Sequence, residues 1–202
     1  MDSSPGSTLH PQTRRHLHNT QRLREAAIRE FARHGLQGSK VSNIVMAAQL
    51  TQPSFYRTWP SKEAAYEEII VQTLQAWQGA AGQVMAGPPE LTLGERIERG
   101  LTQLYTLLVR DLELTRLVLR ETDKNPDRHL PFVAIYAQVF AGMQTQGLVT
   151  SALPAETLAQ TYTAVTERFF LARLYTGQRS ARAAAQEVTA LLLPIFRKES
   201  PA

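Results

Sequence analysis

The 202-residue sequence contains no cysteine. Disulfide frameworks, thiolate metal sites, iron–sulfur clusters and cysteine nucleophiles are therefore excluded. The absence suits a reducing cytosol. No apolar run approaches the roughly 18 residues of a membrane-spanning helix. Met1 to Gln12 hold no apolar stretch of the secretory-signal kind, so a cytoplasmic location is expected. No segment alternates apolar and polar residues as a half-buried strand does. His-Glu-x-x-His, Gly-x-Ser-x-Gly and phosphate-cradling glycine loops are all missing. Four of the five histidines precede residue 35 and the fifth is His129, so no acid–base constellation forms. His16 and His18 stand close, but a zinc site needs three or four ligands. No catalytic residue, metal or cofactor is expected. Turnover lost on substituting His129 or Glu121 would argue for an enzyme instead.

What is present is a globular composition, 43% hydrophobic and 20% charged, with charge unevenly placed. Residues 1–65 carry nine Lys and Arg against four Asp and Glu, and the rest carry thirteen against fourteen. The excess positive charge therefore sits in the first third, as for a polyanion-binding front end on a neutral body. A solvated basic surface would read the same way.

The apolar spacing is helical throughout and predicts an all-α chain of about nine helices. Residues 1–18, rich in Ser, Pro, His and Arg, read as a flexible basic tail. From about Asn19, Leu23, Ala26, Ala27 and Phe31 share one face, until Gly35 and Gly38 stop the helix. A short helix follows over about Val41–Ala48. A third starts after Thr51, a good N-cap, with Pro53 in its first turn. Ser61 caps a fourth, with Glu63 suiting its dipole and Tyr66, Ile69, Ile70, Leu74 and Trp77 as its stripe. Gly87-Pro88-Pro89 breaks the chain. Thr92…Glu95 is a capping box for a fifth helix, and Asp111 caps a sixth that Asn125-Pro126 ends. A seventh runs from Pro131 to Gln146. The eighth, long, spans Pro154 to Gly177, and Ser180 caps a ninth that Pro194 should kink or shorten. Domains are expected at 19–65 and 66–202.

Two short helices joined by a tight turn behind a first helix make a helix-turn-helix. Its second helix enters the major groove of DNA. In Thr51 to Thr58, Phe55 belongs to the core and the rest faces outward. Gln52, Pro53, Ser54 and Arg57 are the candidate base contacts, since Gln bridges adenine, Arg bridges guanine and an apolar ring touches a thymine methyl. Lys40, Ser42, Thr51, Tyr56 and Lys62 are the candidate phosphate contacts. A polar face that merely solvates the fold is the alternative reading of the pattern.

The segment from Arg22 to Ile70 resembles the DNA-binding domain of the tetracycline-repressor (TetR) family of bacterial regulators. The resemblance lies in Arg22-Leu23-Arg24-Glu25-Ala26-Ala27-Ile28-Arg29-Glu30-Phe31 with Gly35, in Val41-Ser42-Asn43-Ile44 and in Ala47-Ala48-Gln49-Leu50-Thr51-Gln52-Pro53-Ser54-Phe55-Tyr56. It closes with Trp59-Pro60-Ser61-Lys62-Glu63. The spacing matches without a gap over about a quarter of the chain. Three positions depart from the pattern. Gln49 replaces the turn glycine and, if left-handed, bears roughly 1–2 kcal/mol of strain. Pro53 replaces a second glycine. Lys40 stands where Thr often caps the second helix, leaving that work to Ser39 or Ser42.

The resemblance implies a second domain that binds a small-molecule effector and forms a homodimer through a four-helix bundle. Helices eight and nine carry apolar residues on more than one side. Leu158, Val165, Phe169, Val188, Leu191, Leu192 and Ile195 are the candidate interface, with a deeply buried core as the alternative. Leu104, Tyr105, Leu108, Leu117, Phe140, Met143, Tyr162 and Thr166 are the candidate pocket wall. Arg120 and Glu121 would orient a polar ligand or form a surface salt bridge. The implied function is a repressor released from a pseudo-palindromic operator by a largely apolar ligand, with the fourth helix as pivot. The competing reading is a helical partner-binding or scaffold protein with a decayed DNA-reading helix. Retention of Tyr56, Arg57 and Lys62 speaks against it.

Overall fold

The computed structural model describes residues 11–84, 90–128 and 130–198. Among them are nine α-helices and no strand. The first ten residues of the expected tail, the Gly87-Pro88-Pro89 break and His129 lie outside the described residues. The chain divides into two compact units, Met1–Gln72 and Thr73–Ala202.

The first unit holds α1 (Pro11–Gly38), α2 (Val41–Ala47), α3 (Gln52–Thr58) and the first part of α4 (Lys62–Val84). α1 begins well before Asn19, which corrects the tail expected over residues 11–18. Pro11 stands at the first helical position, where its missing N–H costs nothing. Nothing then interrupts the helix until Gly35, whose φ of 65° breaks it. Leu23, Ala27 and Phe31 of α1 are buried with Ile44, Phe55, Trp59, Ile69 and Ile70. The Tyr66 ring meets Phe31 edge-on at 5.1 Å. This contact explains why the boundary falls beyond residue 65: the start of α4 completes the first core.

Several helix starts follow local chemistry, whereas α2, α3 and the helix Ala155–Phe169 have no side-chain cap from their own N-cap residue. Ser61 Oγ accepts the Ala64 N–H at 3.1 Å and so caps α4. α2 has Lys40 at its N-cap, with no side-chain cap. Neither Ser39 nor Ser42 supplies one. Ser39 Oγ donates instead to the carbonyls of Gly35 and Glu30. The Glu30 carboxylate, on α1, accepts the Lys40 N–H at 3.1 Å and Asn43 Nδ2 at 2.9 Å. An anion at this end also suits the α2 dipole.

In the second unit α5 (Leu93–Val109) packs along α9 (Ala181–Phe196), and α7 (Leu130–Thr145) along α8 (Ala155–Phe169). α6 (Leu112–Lys124) precedes a 3₁₀ turn at Pro126–Arg128. Thr92 and Glu95 form the expected capping box on α5. The Thr92 hydroxyl's hydrogen bond holds the Glu95 carboxyl below its ordinary value. Asp111 and Ser180 cap α6 and α9 through Leu114 and Ala183. α8 is not one α-helix to Gly177: it passes at Phe170–Leu174 into a π-helical turn. Pro194 stays inside α9, which ends two residues later. Phe140 sits between Tyr162 and Phe196, ring centroids 6.0 and 5.0 Å away, at the centre of this core.

Leu158, Val188 and Leu192 are fully buried within their own chain. They are therefore withdrawn from the expected dimer interface. The helical stripe marked them as apolar, but the unit's own core uses that side. Leu191 and Ile195 are exposed, and Val165 and Phe169 half-buried. Among the described residues no helix is long and apolar enough to cross a membrane.

Candidate nucleic-acid interface and buried cavity

α2 ends in a Schellman turn. The Gln49 N–H bonds the Met46 carbonyl at 3.0 Å and the Leu50 N–H bonds Val45 at 2.8 Å. Gln49 itself is left-handed, φ 52°, as this turn demands. The reversal lets α3 start at once, with Pro53 in its first turn. Phe55 is buried, its ring inclined against that of Trp59 with centroids 5.2 Å apart. One residue aimed inward fixes the others outward on a seven-residue helix. Gln52, Pro53 and Arg57 are exposed, and so is Tyr56, whose edge rests on Phe55 at 5.4 Å.

Ser54 differs from its neighbours. It is half-buried, its hydroxyl lies 3.1 Å from Thr51 Oγ1, and it accepts Arg57 Nη2 at 3.1 Å. Thr51 thus stands at the N-cap position without bonding the helix backbone through its side chain. The Thr51–Ser54–Arg57 chain holds the guanidinium along α3. Arg57 keeps further N–H donors for an acceptor on a base edge.

Lys62 opens α4 half-buried and donates from Nζ to the Ser39 carbonyl at 3.0 Å. That bond places its charge at the α1–α2 joint, near the first turn of α2. Lys40 and Ser42 are exposed there. The expected phosphate readers of α2 and the start of α4 therefore share one region, reached through Ser39. Sequence reasoning missed Glu30 and Asn43, which build the start of α2, and Arg22, whose Nη2 reaches Gln49 Oε1 at 3.0 Å. It also missed Met46, the most exposed large apolar side chain of α2 at 73%. A cap supplied from another helix has no local signature, so only the charge of Glu30 hinted at it.

The second unit holds a partly open cavity of about 80 Å³. By comparison, roughly 10–15 Å³ suffices for one water. Leu74, Trp77, Leu104, Leu108, Leu119 and Phe132 give it apolar walls, and Tyr136, Tyr162, Thr166 and Phe170 line it too. Leu104, Leu108, Tyr162 and Thr166 were expected there. Tyr105, Leu117, Phe140 and Met143 are not in the wall; they are buried in the core around it. The same apolar stripe serves core and cavity, so spacing does not separate them. Arg120 and Glu121 are also absent from the wall.

The polar groups of the cavity are threonine and tyrosine hydroxyls and one carboxylate, Glu167. Thr122 and Thr163 hydroxyls donate to the Leu119 and Ala159 carbonyls. The Tyr162 hydroxyl and Thr166 Oγ1 are buried; Tyr162 lies beside the Tyr136 hydroxyl, and Thr166 Oγ1 has no partner among the described residues. Tyr136 lies against Tyr162, ring centroids 4.7 Å apart. Behind the wall, the Tyr105 hydroxyl donates to the Thr166 carbonyl at 3.1 Å. Burial pushes all three phenols, Tyr105, Tyr136 and Tyr162, well above the ordinary tyrosine value. They stay neutral donors at any physiological pH. Among the described residues no group of His, Asp and Glu could hold a metal ion.

Known proteins agree with this geometry. Residues 23–69 match the family model for bacterial regulatory proteins of the tetR family. The chain is 26% identical over 179 residues to the HTH-type transcriptional regulator YdgC of Bacillus subtilis (strain 168), covering 88% of this chain and 92% of that protein. It is 27% identical over 144 residues to the HTH-type transcriptional repressor SCO4008 of Streptomyces coelicolor, covering 68% and 70%. A bacterial regulatory protein of the tetR family from Rhodococcus RHA1 has the same fold, with a TM-score of 0.70 at 18% identity over 90% of this chain and 98% of that one. A helix-turn-helix with an outward-facing α3, the family match over that segment and regulator relatives across most of the chain lead to one conclusion: residues 23–69 carry a helix-turn-helix of the tetR type, and the chain as a whole is similar to bacterial HTH-type transcriptional regulators.

Proposed function

We propose that this regulator is a ligand-responsive, sequence-specific repressor that binds a pseudo-palindromic operator as a homodimer in the cytoplasm and leaves it when a small, largely apolar ligand binds. The observation that carries the DNA reading is α3: Phe55 anchors it and leaves Gln52, Pro53 and Arg57 exposed on one short helix. Gln and Arg there offer bidentate contacts to adenine and guanine, and Pro53 an apolar contact to a thymine methyl. Lys40, Ser42, Thr51, Tyr56 and Lys62 fit as phosphate contacts that fix register without reading sequence. Ser54 already serves Arg57 and Thr51, so its part is to orient Arg57 more than to touch a base.

Two further features support the finer reading. The cavity is mostly apolar, but it holds the Glu167 carboxylate and two buried hydroxyls, that of Tyr162 beside Tyr136 and that of Thr166, which has no partner among the described residues. An unpaired group of this kind carries a desolvation penalty of about 1–3 kcal/mol until something bonds it. A neutral ligand with one hydrogen-bonding group would relieve it. Leu191 and Ile195 are exposed on α9, with Val165 and Phe169 on α8, a fitting remainder for a dimer interface. The relative SCO4008 is itself named a repressor. Ligand binding acts on DNA only through a difference in affinity between two protein states. Leu74 and Trp77 of the cavity wall belong to α4, the helix whose first turn carries Lys62.

The test is selection from a random duplex library with the purified chain at fixed physiological salt. A two-fold symmetric consensus is the expected result. Recovery of no sequence above bulk duplex would overturn the direct-readout reading of α3.

A further inference from the structure

Three helical segments of this chain close with the same pair of reversed bonds. α7 ends at Gly147 (φ 69°), with Gly147 N–H on Gln144 and Leu148 N–H on Met143, both 2.9 Å. The π-helical turn ends at Gly177 (φ 71°), with Gly177 N–H on Leu174 and Gln178 N–H on Arg173, again 2.9 Å. α2 closes identically, but at Gln49. Glycine takes the left-handed conformation freely, whereas a residue with a Cβ does not. Among the described residues Gln49 is the single non-glycine with positive φ. Strain of this kind persists only where surrounding structure holds it in place.

What surrounds Gln49 is Arg22. From α1, its Nη2 donates to the Gln49 carboxamide oxygen at 3.0 Å, between residues 27 apart in sequence. We propose that Arg22 is a positioning residue for DNA reading: by holding the Gln49 side chain it secures the left-handed turn that sets the direction in which α3 leaves α2. The inference rests on the reading of α3 as the DNA-reading helix. The left-handed strain disfavours a non-glycine turn roughly five- to thirtyfold. The bond comes from a charged donor at the surface, where solvent weakens it, so the tie offsets part of the strain. A glycine at this position would need no tie.

That last point supplies the test. Arg22→Met keeps most of the stem and removes the guanidinium. It is compared, in the full chain, with Gln49→Gly and with the double substitution. The probes are the duplex best enriched by the unsubstituted protein and a shuffled duplex of the same length. Arg22→Met is expected to lose up to about fivefold in affinity for the enriched duplex, the factor of an exposed charged bond lost, and little for the shuffled one. Its salt dependence should be unchanged. Gln49→Gly should bind normally, and adding it to Arg22→Met should restore binding. A double variant as weak as Arg22→Met would overturn the proposal. So would a salt slope reduced by about one ion, which would make Arg22 a phosphate contact.

Thermal unfolding gives a second readout that needs no DNA. Arg22→Met should lower the midpoint in the native background and leave it unchanged in the Gln49→Gly background, and equal losses in both would also overturn the proposal. If the unsubstituted protein enriches no duplex, it is the DNA reading that fails. The unfolding comparison alone then decides whether Arg22 holds the turn.

Discussion

Replacing Glu30 by Ala should loosen α2 without touching its own sequence. The carboxylate is only 11% accessible, so solvent screens it little. It bonds the Lys40 N–H and Asn43 Nδ2 at once. Loss of an N-terminal cap costs about 1 kcal/mol. Loss of an anion at a helix N-terminus adds roughly 0.3–1 kcal/mol. Stranding the half-buried Asn43 amide adds about 1 kcal/mol. Together the change is about 2–3 kcal/mol, or roughly 30- to 150-fold in the population of the locally open state. Amide hydrogen exchange of the 40–50 segment in the full chain reads that population directly. Protection there should fall by about this factor, with α9 unaffected. Glu30→Gln keeps an acceptor oxygen and should fall by much less. Unchanged exchange in Glu30→Ala would refute the claim that this carboxylate starts α2.

Lys62→Ala should weaken DNA binding nearly equally across sequences and reduce the salt slope by about one; a changed consensus in repeat selection would contradict its placement against phosphate. Thr166→Val removes a buried hydroxyl that has no partner among the described residues, so stability in urea should rise by about 1–3 kcal/mol, and a loss would mean the hydroxyl is bonded. In alkali, burial holds the Tyr105, Tyr136 and Tyr162 phenols neutral above their ordinary value. The unfolded chain therefore ionises first, and stability present below about pH 10 falls as pH rises through the folded values. Tyr162→Phe should flatten that fall in melts between pH 9 and 11, and an unchanged slope would refute the linkage. Leu191→Glu with Ile195→Glu should yield a folded monomer by sedimentation, whereas an unchanged sedimentation coefficient would exclude this face as the dimer interface.

Much was legible in the chain itself, because its signals are local. Thr92 with Glu95, Asp111, Ser61 and Ser180 each cap a helix through atoms three residues away, a distance sequence spacing encodes directly. Phe55 within Thr51–Thr58 fixed the outward face of α3 by the 3.6-residue period alone. Gapless spacing from Arg22 to Glu63 carried the family. Gln49 in place of the turn glycine was a visible anomaly, but whether the residue is left-handed was left open by the sequence and was decided by the structure, with φ 52°.

Tertiary structure decided whatever depends on which neighbour an apolar side meets. Leu158, Val188 and Leu192 face their own core, while Leu191 and Ile195, on the same stripes, face out. Leu104 and Leu108 line a cavity while Tyr105, between them, is packed solid. Hydrophobicity drives burial without direction, so a pattern tells that a residue is buried and not against what. Partners distant in sequence, Glu30 for the start of α2 and Arg22 for its end, were equally out of reach. Their bonds exist only once α1 has folded beside the turn.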